Sequence, residues 1–227
     1  MKRFAAILGI GVLLAASPSF VDAQSTTVTS VNVVGFKTSS VDSNAFHLYA
    51  LPFNVMGDSA IGAIFTNQLT AGGNPAAGDN VMFWDAATQQ YIVNWKHAAG
   101  WVQGAQLSTQ EVTLARAFWV KDNSLSGQSL TFSGEVVTNA VVSQSIMTGF
   151  NLLSYPFNTT VWVTNSALDA VAVAGTNPSN ADNLMRWDDA TQQYIAYWKH
   201  AAGWILGAQL ATNLTISMGE GFWSLLL

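Results

Sequence analysis

Apolar residues follow the two-residue period of β-strands through much of this chain. Residues 28–34 are β-branched and roughly alternating, and residues 90–95 place Tyr, Val and Trp on one side. Together with residues 81–84, the second segment predicts a hairpin, and Trp101 opens a third strand after the turn His-Ala-Ala-Gly. Residues 113–120 predict a further strand.

Residues 47–53 and 151–157 are continuous apolar runs with a proline near the end, where strands often stop. Two helical inserts interrupt the strand pattern, at residues 60–69 and 167–173, and each follows polar residues able to cap it. Short strands at this spacing are typical of a β-sandwich. The chain is therefore predicted to be all-β.

An internal duplication organises these elements. Residues 84–107 and 187–210 are identical at 19 of 24 positions, and the similarity extends outward at an offset of about 104 residues. We therefore predict two tandem, homologous β-sandwich-like domains, at residues 24–130 and 131–227, each with one short helical insert. We expect the two copies to fold as independent units.

The first 23 residues have the layout of a secretory signal peptide. Lys2 and Arg3 precede an apolar run at residues 4–16, which is too short to span a bilayer, and Ala23 precedes Gln24 as a cleavage site would. We expect export to the extracellular space or the cell surface. No later stretch is long and apolar enough to predict a helix that spans the membrane.

Composition narrows the range of partners. Only 9% of the residues are charged, against about 25% in a typical globular chain. The net charge of −5 argues against nucleic acid as a ligand. The chain has no cysteine, which removes thiol catalysis and cysteine-bound zinc.

The repeated polar residues indicate turns rather than catalysis. His97 and His200 occupy equivalent turns, and no Gly-x-Ser-x-Gly nucleophile motif accompanies them. Four repeated acidic residues stand beside predicted turns, where a carboxylate caps the backbone: Asp79, Asp85, Asp182 and Asp188. We expect the protein to have no enzymatic activity and to bind no metal and no other cofactor. A secreted hydrolase is the least favoured alternative.

The most distinctive repeated side chains are aromatic, with a lysine and a histidine beside them. Trp and Tyr fill cores, but exposed ones also stack on sugars or anchor protein contacts, and the sequence leaves these three interpretations open. The candidate ligand or interface face consists of Trp84, Tyr91, Trp95, Lys96, His97, Trp101, Trp187, Tyr194, Trp198, Lys199, His200 and Trp204.

Residues 149–157, Gly-Phe-Asn-Leu-Leu-Ser-Tyr-Pro-Phe, and residues 219–223, Gly-Glu-Gly-Phe-Trp, resemble the opening and closing strands of a repeat in uncharacterised exported bacterial proteins. The resemblance covers most of both copies. Copy one departs from it at Arg116 and Ala117, where copy two has Glu220 and Gly221. The resemblance implies a secreted β-domain and no particular activity.

Together these features predict an exported, non-enzymatic structural or adhesive protein that associates with itself. The alternative is a carbohydrate-binding protein that holds surface glycans at two equivalent aromatic sites.

Residues 129–137 either close copy one or open copy two. If they close copy one, copy two keeps an open sheet edge. Val28, Val31 and Val33 of another molecule would fill that edge by head-to-tail strand exchange. If residues 129–137 serve copy two, both copies are complete and the protein is a monomer.

Overall fold

The computed structural model describes residues 33–138 and 141–227. Copy one forms a six-stranded antiparallel sheet, sheet one, in the order β2-β7-β3-β4-β5-β6, and a separate two-stranded ribbon of β1 and β8. Helix α1 spans Ile61–Phe65. The strands are β1 (Val34–Val41), β2 (Phe46–Ala50), β3 (Asn80–Asp85), β4 (Gln90–His97), β5 (Gly100–Gln103), β6 (Gln106–Leu107), β7 (Ala117–Lys121) and β8 (Gln128–Glu135).

Copy two repeats this order in sheet two, β9-β16-β11-β12-β13-β14, while β10 and β15 pair separately. Helix α2 spans Ala167–Val171, and 3₁₀ turns span Val163–Asn165 and Pro178–Asn180. The strands are β9 (Gly149–Ser154), β10 (Val161–Trp162), β11 (Asn183–Asp188), β12 (Gln193–His200), β13 (Gly203–Leu206), β14 (Gln209–Leu210), β15 (Thr215–Ile216) and β16 (Gly221–Leu226). The predicted all-β class, with two short helices, is confirmed.

The central strands are continuous apolar runs because both of their faces are buried. On β2 and β7, the paired residues Leu48 and Trp119 face copy two, whereas the next pair, Tyr49 and Phe118, faces the opposite side. Successive side chains of a strand point to opposite faces, so a strand covered on both sides needs apolar residues at every position.

The two sheets contribute to three hydrophobic cores. In copy one, α1 and the β1–β8 ribbon cover the outer face of sheet one, with Phe65, Leu130 and Phe132 buried there. In copy two, an outer core includes Val163, Trp204 and Ile216. A third cluster, the central core, joins both sheets and consists of Leu48, Ala50, Ala117, Trp119, Leu152 and Trp223.

The central core corrects the expectation that the copies are independent domains. Each copy supplies one sheet, and the inner faces of the two sheets are buried against each other. Ala117 and Trp119 of copy one are almost fully buried in a cluster that also contains Leu152 and Trp223 of copy two. The physical reason is that the inner face of each sheet is apolar and the described part of each copy covers only its outer face.

Strand β8 lies across the expected boundary at residues 130 and 131. It pairs with β1 over its whole length, from Val34 opposite Glu135 to Val41 opposite Gln128. Of the two readings that the sequence left open for this segment, the structure selects closure of copy one. The expected start of copy two at residue 131 therefore falls within the last strand of copy one.

The expected signal peptide at residues 1–23 lies outside the described residues, as do Val28 and Val31. Val33 is described and exposed, and its carbonyl accepts a hydrogen bond from Val136 N at 2.7 Å. Between residue 33 and the end of the sequence, setting aside residues 139 and 140, no helix is long and apolar enough to cross a bilayer.

Ala117 and its counterpart Gly221 face each other in the central core. A Cβ atom built on Gly221 would lie 2.6 Å from the Cβ of Ala117 and 2.8 Å from the Cγ of Leu48. Only one of the two equivalent positions can therefore carry a methyl group at this separation of the sheets. The difference between the copies at this position is thus a packing requirement.

We expect Gly221→Ala to destabilise the fold by about 1–3 kcal/mol, because overpacking forces the sheets to shift. Chemical denaturation monitored by tryptophan fluorescence measures this difference. Gly73→Ala is the control, since no atom lies within 4 Å of its added Cβ. Equal unfolding free energies for the two variants would show that the sheets are not closely packed at Gly221.

Candidate functional site

The repeated block of highest identity forms equivalent hairpins, β3–β4 and β11–β12, whose turns are held by a carboxylate. Asp85 accepts hydrogen bonds from Ala87 N at 3.0 Å and from the Thr88 hydroxyl at 2.7 Å, and Asp188 makes the same two contacts. The hydroxyl bond, followed by the backbone bond, lowers the pKa of both carboxyls. These aspartates therefore shape the turns.

Each turn ends in a glutamine with a left-handed backbone, Gln89 at φ 55° and Gln192 at φ 53°. Non-glycine residues rarely adopt this conformation, and here it accompanies a specific contact. The Gln89 side-chain amide accepts from Phe150 N at 2.8 Å and donates to Phe150 O at 3.0 Å. Gln192 makes the same pair of bonds to Phe46, at 2.8 and 3.0 Å. Each glutamine thus satisfies one residue of an edge strand in the other copy.

Trp84 and Trp187 reinforce the same contact. The indole Nε1 of Trp84 donates to Phe150 O at 2.7 Å, and that of Trp187 donates to Phe46 O at 2.9 Å. Every one of these bonds occurs twice with the copies exchanged. This reciprocity defines an approximately two-fold, self-complementary interface within one chain.

The rings of the interface are arranged edge to face. The ring centroid of Trp84 lies 5.0 Å from that of Trp223, and the centroid of its counterpart Trp187 lies 4.9 Å from that of Trp119. The ring centroid of Tyr91 lies 4.9 Å from that of Trp84, and the centroid of Tyr194 lies 4.9 Å from that of Trp187. Aromatic pairs of this geometry contribute about 0.5–1.5 kcal/mol each beyond the burial of their area. We call these six residues the aromatic clasp: Trp84, Tyr91, Trp119, Trp187, Tyr194 and Trp223.

The clasp leaves little room for a ligand. A cavity of about 220 Å³ remains between Phe46, Met82 and four clasp residues, whereas ligand pockets usually hold about 300–1,000 Å³. Burial raises the pKa of Tyr91 to about 12 and also raises that of Tyr194. Burial thus favours the neutral form of both phenols, and each ring also contacts a tryptophan of the other copy.

Trp101 and Trp204 are buried in the outer cores, each beneath a lysine whose ammonium lies 5.6 Å from the ring centroid. Their polar contacts differ. Trp204 Nε1 donates to the Asp169 carboxylate at 2.6 Å, and Lys199 pairs with the same oxygen. Lys96 donates to the Thr66 carbonyl instead. Trp101 Nε1 has no hydrogen-bond partner among the described residues.

Trp95 and Trp198 are the repeated tryptophans that lie outside all three cores. Each is only partly buried and stands edge-on to a histidine, with ring centroids 5.4 Å apart at His97 and 5.5 Å apart at His200. The Nδ1 atom of each histidine accepts the backbone N–H two residues on, at 3.1 Å. The histidines therefore hold tight turns, while the two indoles keep a solvent-facing side.

One polar contact was not predicted because its two residues belong to different copies. His47 is buried, its Nε2 accepts from Asp42 N at 2.9 Å, and its Nδ1 lies 3.1 Å from the Asp189 carboxylate of copy two. The counterparts of His47 and Asp189 are Asn151 and Ala86, so both departures from the repeat occur at one contact. Paired differences between the copies were the signal available in the sequence.

The repeated buried aspartates also act on the backbone. Asp79 accepts hydrogen bonds from Thr70 N, Asn123 N and Gln128 Nε2, which ties the start of β8 to sheet one. Burial is the main reason that its pKa is raised. Asp182 accepts from Val173 N and Leu227 N. Across the described residues, no group of three or more His, Cys, Asp or Glu side chains is placed to hold a metal ion.

The chain matches no known protein family, no curated protein and no solved structure.

We expect Trp204→Phe to destabilise the protein more than Trp101→Phe, because only the first substitution removes a hydrogen bond to a charged group. Such bonds contribute about 1.5–3 kcal/mol, whereas Trp101→Phe removes a buried donor that has no partner. Both variants lose a similar ring area, so each is the control for the other. Equal losses of unfolding free energy in denaturant titrations would contradict the assigned Asp169 contact.

The clasp tyrosines predict a loss of stability in alkali. Because folding raises their pKa above the ordinary value of about 10, their contribution is complete below about pH 10. It is lost as the pH rises through the folded pKa, about 12 for Tyr91. Denaturant midpoints measured from about pH 9 to about pH 12 should fall less steeply in the variant Tyr91→Phe/Tyr194→Phe. A residual fall from Tyr49 is expected, since burial raises its pKa as well. The same slope in both proteins would contradict this role.

Proposed function

We propose that the protein is an exported, non-enzymatic structural protein that associates with itself outside the cell. The observation that carries the proposal is where the repeated aromatic residues lie in the structure. Trp84, Tyr91 and their counterparts bind the two copies to each other, and Trp101 and Trp204 fill the outer cores. Most of the repeated aromatic residues therefore pack the two sheets instead of facing a ligand.

The repeated polar residues support the same proposal. Asp85, Asp188, His97 and His200 are each engaged in turns, and Asp79 is engaged with three backbone or side-chain donors. A catalytic acid or base needs a proton-accepting atom directed at a substrate. These groups direct their acceptor atoms at the chain itself.

The surface is suited to association. The chain carries few charges, and large apolar side chains are exposed on β1, including Phe36 with 77% of its surface accessible. Low surface charge and exposed apolar residues both promote contact between molecules.

Light scattering of residues 24–227 over a wide range of concentration tests this proposal, with negative-stain microscopy of the same samples. We expect the average mass to rise with concentration and extended or ring-shaped particles to appear. A constant monomer mass at every concentration would contradict self-association.

A second candidate function rests on Trp95 and Trp198, which keep a partly exposed face beside His97 and His200. Sugar rings stack on such indoles, and two equivalent sites on one rigid body would bind a polymeric glycan with enhanced avidity. Glycan-array binding that is lost in the variant Trp95→Ala/Trp198→Ala would favour this function over assembly.

A further inference from the structure

Strand β8 is one member of a repeated pair of segments, and the other member is residues 24–31. Residues 24–31 read Gln-Ser-Thr-Thr-Val-Thr-Ser-Val, and residues 128–135 read Gln-Ser-Leu-Thr-Phe-Ser-Gly-Glu. The segments stand 104 residues apart, as Phe46 and Phe150 do, and three of their eight positions are identical. Because the contacts between the copies occur twice with the copies exchanged, the position of β8 on copy one predicts an equivalent position for residues 24–31 on copy two.

An aromatic side chain of β8 completes the outer core of copy one. The ring of Phe132 lies among three rings of this core, whose centroids are 6.0, 6.1 and 6.5 Å away: Phe65, Phe118 and Tyr49. The counterpart of Phe132 in the other segment is Val28, which is also apolar.

A glutamine anchors the first residue of β8. Gln128 Nε2 donates to the Asp79 carboxylate, which also accepts two backbone N–H groups. Asp182, the counterpart of Asp79, accepts the equivalent pair of backbone N–H groups. Among the described residues no side chain donates to Asp182 as Gln128 does to Asp79, and the sequence counterpart of Gln128 is Gln24.

The backbone pairing of β8 also has a matching place in copy two. Asn54 N donates to Glu135 O at 2.8 Å, and Asn54 O accepts from Glu135 N at 2.9 Å. Asn158, the counterpart of Asn54, makes no backbone hydrogen bond within the described part of the chain, and neither do residues 141–146. Unpaired backbone groups are a template for strand addition.

A cavity of about 610 Å³ lies on the outer face of sheet two. Its wall includes Leu153 and Phe222, which belong to the outer core of copy two and are the counterparts of Tyr49 and Phe118. None of its described lining residues is charged. The cavity is therefore suited to an uncharged strand that carries an apolar side chain where β8 carries Phe132.

The described chain leads towards this cavity. Val33 O accepts from Val136 N at 2.7 Å, which extends the β1–β8 pairing beyond Val34 and Glu135. The chain before Val33 and the chain after Val136 therefore leave the ribbon at the same end, and the second of them lines the cavity from Val141 onwards. A strand tethered this close to its site has an effective concentration on the order of millimolar, so the same molecule supplies it more readily than another molecule does.

We propose that residues 24–31 of the same molecule add as a β-strand beside residues 141–145 and complete the outer face of sheet two. The two copies thereby exchange equivalent strands, because β8 follows copy one in the chain and closes it, while the segment that precedes copy one closes copy two. This inference goes beyond the proposed function and does not depend on self-association.

The β1–β8 ribbon and the repeat indicate the same facing pair. Continuing the register of the ribbon places Val28 opposite Val141, which lines the cavity. In the repeat, these two residues are the counterparts of Phe132 and Lys37, which lie opposite each other in the ribbon. Val28 therefore takes the place in copy two that Phe132 has in copy one.

A disulfide trap tests this pair, because the natural chain has no cysteine. Val33 and Val136 are hydrogen-bonded, and facing pairs in an antiparallel ladder alternate, so Val28 and Val141 form a non-hydrogen-bonded pair with closely spaced side chains. We expect the variant Val28→Cys/Val141→Cys of residues 24–227 to lose both free thiols on mild oxidation at low protein concentration and to run as a monomer on a non-reducing gel.

The control for the trap is the variant Val28→Cys/Thr38→Cys. Thr38 is exposed on β1, lies opposite Thr131 and is much closer than Val141 to Val28 along the chain. An unordered segment would reach residue 38 at least as easily as residue 141. Equal rates of disulfide formation in the two variants, or no disulfide in either, overturn the proposal.

Mixing the single variants Val28→Cys and Val141→Cys identifies the molecule that supplies the strand. We expect few covalent dimers at the concentration at which the double variant closes within one chain. Dimers that form as readily as the internal disulfide overturn this inference and leave self-association standing. An internal disulfide in a chain that stays monomeric at every concentration upholds this inference, while the proposed function fails.

Two adjacent charge substitutions test the same contact without cysteine. Val28→Asp places a charge at the counterpart of buried Phe132, whereas Thr27→Asp places one at the counterpart of exposed Thr131. We expect only Val28→Asp to lower the denaturant midpoint, because only that charge is forced into the cavity. Equal midpoints for the two variants overturn the proposal.

Discussion

The aromatic clasp between the two sheets is the interaction on which the rest of the structure depends. A six-stranded sheet with two apolar faces must be covered on both sides, and in each copy the described elements cover only one. The second cover is the other copy. Trp84 and Trp187 make the contact specific, because each indole places its ring against a tryptophan and its N–H on a backbone carbonyl across the interface. The protein is thus an intramolecular pseudo-dimer.

This arrangement explains why some differences between the copies occur in matched sets. Ala117 faces Gly221 because two methyl groups do not fit there. His47 faces Asp189 across the interface, and the equivalent contact has neither residue. Within the sheets, Arg116 lies over the ring of Phe83, whereas at the equivalent positions Arg186 pairs with Glu220. At these places the two copies differ in pairs of residues that contact each other.

The outer faces of the two copies have diverged further. In copy one, β8 is anchored by its pairing with β1 and by the Gln128–Asp79 bond, and it closes the core. In copy two, the corresponding face carries an uncharged cavity and an unpaired segment before β9. The two copies therefore share one central core but complete their outer faces differently.

The sequence by itself determined the all-β class, the duplication, the hairpins and the two helical inserts, because these depend on local periodicity, turn chemistry and self-similarity. It also identified the repeated aromatic residues as the distinctive feature, but not their role. Trp84, Trp95 and Trp101 are all repeated between the copies, so the sequence does not distinguish their roles. In the structure Trp84 lies in the interface, Trp95 is partly exposed and Trp101 is buried in an outer core. Only the tertiary structure decided among them, because strand alternation sorts side chains between two faces without saying what covers each face. The pairing of β8 was likewise decided by long-range contacts with β1 and Asn54, which no local pattern contains.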